Sequence, residues 1–149
     1  MKRENGFTLA EIMIVVAIVM LLAAIAIPNL MRARITAQEA GAAGGLKTIV
    51  TAEIEWRATH ATYAVLSDLE DYIDSTLASG TKQGYIYVSS PVESAEGKKF
   101  VASAVPFDHQ AHSFYIDESG VLCRSDELTE TPVTEHAESG CPEEYGELE

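Results

Sequence analysis

Basic side chains are scarce in this 149-residue chain, which has ten Lys and Arg against 23 Asp and Glu and a net charge of -13. Phosphate backbones are bound through basic patches, so nucleic acid is excluded as an expected partner. Cysteine is limited to Cys123 and Cys141. They stand too far apart for a CxxC redox site, and no second pair completes a zinc site. In an exported chain they would most simply form one disulfide, worth about 3 kcal/mol by the chain-entropy argument; two free thiols are the alternative. Serine and cysteine nucleophile signatures, glycine-rich phosphate loops and internal repeats are all missing. Of the four histidines, His109 and His112 lie three apart in an expected loop without a third ligand, while His60 and His136 stand alone. They are expected at the surface, with no metal or cofactor. Carboxylates such as Asp126 and Glu127 fit no EF-hand pattern, so a solvated acidic face is expected, with calcium binding as the alternative. No enzyme activity is expected.

Charge is most nearly absent near the N-terminus. Between Phe7 and Pro28 only Thr8 and Glu11 are polar, whereas 126–149 holds nine acidic residues and no Lys or Arg. The apolar run from Phe7 to Ile27 is 21 residues long, or about 31 Å as a helix, enough to cross a bilayer's hydrocarbon core. Lys2 and Arg3 precede it, and Ala24-Ile25-Ala26 formally fits an A-x-A cleavage site. A conventional signal peptide is disfavoured because the apolar run is long and interrupted by Glu11. A plain single-pass anchor fits the length, yet Arg32 and Arg34 flank the far end and blur the charge rule. A carboxylate inside a membrane helix costs about 2.5–3.5 kcal/mol at mid-depth and less near an end. Ten Ile, Leu or Val residues between Ile12 and Ile27 offset that cost. They do not explain why the charge is there. An intramembrane carboxylate is by default a group in search of a partner, and no Lys or Arg lies in the apolar run.

Gly6-Phe7-Thr8-Leu9-Ala10-Glu11, behind a short basic leader and ahead of an apolar helix, resembles the processing site of class III signal peptides. These segments belong to type IV pilins and to the pseudopilins of type II secretion systems. The resemblance is close over about residues 1–35 and general beyond them. It implies that residues 1–6 are a leader removed after Gly6 by a membrane prepilin peptidase. Phe7 would become the new, N-methylated terminus. Glu11 would then pair with the cationic amine on Phe7 of a neighbouring subunit and set the register of a polymer, a role better attested for buried charge pairs than net stabilisation. Thr8, Glu11 and Pro28 are the residues expected to serve assembly; snorkelling of Glu11 to the headgroups is the bland alternative.

The resemblance further implies a subunit stored in the inner membrane, N-terminus cytoplasmic and head periplasmic. It would be polymerised by an assembly platform whose ATPase is a separate protein. Its partners would be the lipid bilayer, the peptidase, the platform and other filament subunits. Pilus and periplasmic pseudopilus remain alternatives, the latter with a calcium loop in its major subunits. A membrane-anchored binding domain is the more distant rival.

The rest of the chain predicts an α+β fold. A long N-terminal helix, membrane-spanning over 7–28 and amphipathic over 29–60, packs against a small antiparallel β-sheet in a pilin-like head spanning 61–149. Pro28 predicts a kink, with a helix stop as the alternative. Leu46, Ile49, Val50 and Ile54 form the predicted apolar stripe. Gly41, Gly44 and Gly45 predict either a flexible point or close helix packing. A loop with a short helix is expected over 66–77. Strands are expected over 85–89, 100–105, 113–116 and 121–124, the last two joined by the turn Asp117-Glu118-Ser119-Gly120. The tail from Ser125 is expected to be mostly loop, pinned by Cys141.

Overall fold

The computed structural model describes residues 6–92, 99–107, 110–125, 132–135, 140–142 and 145–148. The chain divides into two compact units, Met1–Ile35 and Thr36–Glu149. One helix, α1, runs over Leu9–Thr59. Pro28 lies inside it, so the helix does not stop there. Proline removes one backbone donor, a loss that the flanking Ile, Leu, Ala and Met residues, helix formers or helix-tolerant, do not compound.

In the second unit α1 buries Ala42, Gly45, Leu46, Ile49, Ala52 and Glu53. This corrects the predicted stripe. Leu46 and Ile49 belong to it, but Val50 is half-buried and Ile54 is 59% exposed. Glu53 stands four residues after Ile49, on the same face, whereas Ile54 is rotated away from it. A hydrophobicity pattern ranks an isoleucine above a glutamate. Here the glutamate goes inside because two donors wait for it.

A 3-10 turn at Leu66–Leu69 and a short helix α2, Ser75–Ala78, follow α1. The Asp74 side chain caps α2, accepting from the backbone N–H groups of Thr76 and Leu77. Its ion pair with Lys82, at 2.6 Å, holds this exposed carboxyl well below the usual carboxylate range, helped by the Thr76 hydroxyl and the Leu77 N–H.

Six strands form one sheet in chain order: β1 Thr81–Lys82, β2 Tyr85–Pro91, β3 Phe100–Pro106, β4 Phe114–Asp117, β5 Leu122–Ser125 and β6 Tyr145–Glu147. Every neighbouring pair is antiparallel, so the sheet is a meander. The four expected strands are present, and the Asp117–Gly120 turn joins β4 to β5. There the Asp117 side chain accepts from Ser119 N–H at 2.8 Å, and Gly120 takes a φ of 76° that favours glycine. Two strands were not anticipated. β1 pairs with β2 through Gln83-Gly84, both at positive φ, as a tight two-residue hairpin needs. β6 replaces part of the expected loop in the tail, with Tyr145 buried.

The register places Tyr87, Ala104, Phe114 and Arg124 across one face of the sheet, with Ser89, Ala102, Ile116 and Leu122 in the next row. Ser89 bonds to Glu53 and Tyr87 lies against Gly45, so this face meets α1. Small side chains are buried on both elements, Ala42 and Ala52 on the helix and Ala102 and Ala104 on the sheet, and small residues permit close approach. Val101, Tyr115, Cys123 and Tyr145 form a second cluster on the other face, with Val92, Val121, Val133 and Cys141 packed onto it. β3 is therefore buried along its whole length.

Candidate assembly segment

Gly6, Phe7 and Thr8 lead into α1 as irregular chain. A Cβ added at Gly6 would meet nothing within 4 Å, so nothing in the described chain demands glycine there. Phe7 is 85% exposed. Thr8 and Glu11 close a reciprocal pair at the helix start. Glu11 Oε2 accepts from Thr8 N–H at 2.8 Å and from the Thr8 hydroxyl at 2.7 Å, while Thr8 Oγ1 accepts from Glu11 N–H at 3.2 Å. This is the capping box of a T-x-x-E sequence, satisfying helix N–H groups that lack an intrahelical carbonyl. It gives Glu11 hydrogen-bond donors at the start of its own helix. The T-x-x-E spacing carries this signal in the sequence itself.

Beyond Glu11 the helix presents Ile12, Met13, Ile14, Val15, Val16, Ile18, and so on to Met31, all as exposed apolar surface. This apolar stretch is unburied, and α1 is long and apolar enough to cross a membrane. Continuous exposed apolar area on this scale marks a surface that lipid or another protein covers.

The other predicted positions fall in the head. Cys123 and Cys141 form the disulfide, with Cα atoms 5.6 Å apart, and no described cysteine is free. It ties β5 to the tail just before β6. His60 stacks on Trp56 with centroids 3.8 Å apart. His112 is structural: its N–H donates to Glu39 Oε1, its Nδ1 donates to Ser125 C=O, and its own C=O accepts from the Tyr85 hydroxyl. It thereby joins α1 to the β4–β5 end of the sheet. His109, His136, Asp126 and Glu127 lie outside the described residues, and among the described ones no three His, Cys, Asp or Glu side chains converge as metal ligands.

Glu53 was not singled out by sequence reasoning. It is fully buried, accepting from Ala64 N–H at 2.9 Å and from the Ser89 hydroxyl at 2.8 Å. Burial pushes its carboxyl above the ordinary value, and the two hydrogen bonds pull against that.

One long N-terminal helix, apolar and exposed at its start, together with a six-stranded antiparallel sheet makes an α+β, pilin-like arrangement. Residues 1–27 match the prokaryotic N-terminal methylation motif. The chain is also similar to the type IV major pilin protein PilA of Myxococcus xanthus (strain DK1622), 39% identical over 83 residues. That match covers 56% of this chain and 36% of the relative, so the chain spans about a third of the length of the curated protein it matches. No solved structure matches. The first likeness is confined to the N-terminal segment and the second to just over half of the chain.

Proposed function

We propose that the chain is a structural subunit of a type IV pilus or pilus-like filament, held in the inner membrane and polymerised through the first half of α1. Prepilin peptidase cuts after Gly6, and the open surroundings of that glycine fit a demand made by the enzyme and not by the fold. The observation that carries the reading is a capped carboxylate at the head of an otherwise uncharged, exposed apolar helix within the methylation motif. In the stored subunit Thr8 satisfies Glu11. On assembly Glu11 passes to the methylated amine of Phe7 on a neighbouring subunit, a charge pair that fixes register while the apolar helix surfaces fuse into a core. The assembly platform and its ATPase supply the work. The PilA likeness favours a pilus over a secretion pseudopilus.

Two measurements test this. Intact mass of the cell-derived protein should show an N-terminus at Phe7 carrying one added methyl; retention of Met1 would leave only an anchor. Glu11→Ala should give subunits that insert and fold but are missing from sheared filaments. Normal incorporation would remove the register role.

A further inference from the structure

Two arginines stand where the apolar surface of α1 ends. From Ile12 to Met31 the chain has no charged residue; then come Arg32 and Arg34, both exposed. At 1.5 Å per residue Glu11 and Arg32 are about 31 Å apart, close to the thickness of a hydrocarbon core. A bilayer can therefore hold both charges at its two edges at once, instead of sinking Glu11 toward the middle. At 100° per residue, positions 32 and 34 project about 200° apart. They face opposite sides of the helix. One protein partner docking on a single face would engage one of them, whereas a layer surrounding the helix engages both.

We propose that Arg32 and Arg34 form a collar that binds the phosphates of anionic phospholipids in the head-side leaflet and sets the depth at which the helix sits. Guanidinium forks match phosphate oxygens in pairs, and long arginine stems reach the headgroups from a helix end. With the collar seated, Thr8, Glu11 and the Gly6–Phe7 bond lie at the opposite interface, where a membrane peptidase reaches them. Basic residues on the head side run against the usual charge asymmetry of anchors; a phosphate-binding collar gives them a purpose there. The inference rests on the membrane-inserted reading of the first unit, not on polymerisation.

The test reconstitutes the full chain in phosphatidylcholine bilayers. The fraction of spin-labelled lipid immobilised at the protein is measured by electron spin resonance for phosphatidylglycerol and for phosphatidylcholine probes. At low salt the phosphatidylglycerol probe should be favoured by about fivefold per arginine, a preference that shrinks as salt is raised. The double variant R32Q/R34Q should lose most of that preference while immobilising phosphatidylcholine as before. Equal immobilisation of both probes by the wild-type chain overturns the collar. So does an undiminished preference in R32Q/R34Q, which would assign the lipid to Lys2 and Arg3. No immobilisation of either probe overturns the membrane reading together with the collar. Loss of the collar with filaments still forming would leave the proposed function standing. If R32Q/R34Q weakens contacts between copies and the wild-type chain shows no lipid preference, the arginines serve an acidic protein surface and the collar falls.

Discussion

Glu53 is buried beside two donors and, because of its burial, holds its proton to a higher pH in the folded head than in the unfolded chain. The stability it contributes is complete below the unfolded value, near 4.5, and is lost as pH rises through the raised folded one. Urea unfolding of wild-type and Glu53→Gln chains in detergent should therefore show the wild type losing ground to the variant between acid and neutral pH. A flat difference would mean that Glu53 titrates as an exposed carboxylate does. Glu53→Ala strands Ala64 N–H and the Ser89 hydroxyl, and should cost about 2–4 kcal/mol by the same unfolding measurement. Tyr87 gives the opposite expectation. Its hydroxyl is buried with no hydrogen-bond partner among the described residues, and burial, with the negative charge of Asp74 adding to it, pushes its ionisation up to about 12. Tyr87→Phe removes an unsatisfied polar atom and should be neutral or stabilising by up to about 1 kcal/mol. At this scale the sequence was least legible. Glutamate and tyrosine can go either way, and only the donors around them decide.

The glycines of α1 are an element-scale question, since they matter through how closely helix and sheet approach. A Cβ at Gly45 would lie 2.8 Å from the Tyr87 ring edge and hydroxyl, whereas one at Gly44 would meet nothing. Gly44→Ala should therefore gain about 0.5–1 kcal/mol of helix propensity. Gly45→Ala gains the same propensity but forces helix and sheet apart, for a net loss of about 1–3 kcal/mol. Thermal melts of the two variants should move in opposite directions. Close packing thus accounts for Gly45, and the uninterrupted helix argues against a break at the glycines. The four longer strands were legible because their β-branched and aromatic runs end in turn residues. β1 and β6 were not, since two or three residues are too few to show alternation; each forms because a neighbouring strand offers an open edge.

For the molecule as a whole, the second face of the sheet is closed by the tail, and the Cys123–Cys141 bond keeps that tail returning to β5. Replacing both cysteines by serine should lower the head's unfolding free energy by about 2–4 kcal/mol. It should also raise hydrogen exchange along β5 and β6 before the rest of the sheet. Uniform loss across all six strands would show that the tail does not unfold as a separate unit.

What the sequence determined alone was whatever depends on composition along one line: a membrane-length apolar segment, a likeness to the N-terminal methylation motif over its start, a helix continuing beyond it and a strand-rich acidic remainder. Such features need no knowledge of distant neighbours, because length, hydropathy and local motif carry them. Tertiary structure decided which face of α1 goes inside, why Gly45 must stay small, where Glu53 finds its donors and how β6 closes the sheet. Each of these depends on groups far apart in the chain coming within a few ångströms, where hydrogen bonding and steric fit outweigh the apolar or polar character of any single residue.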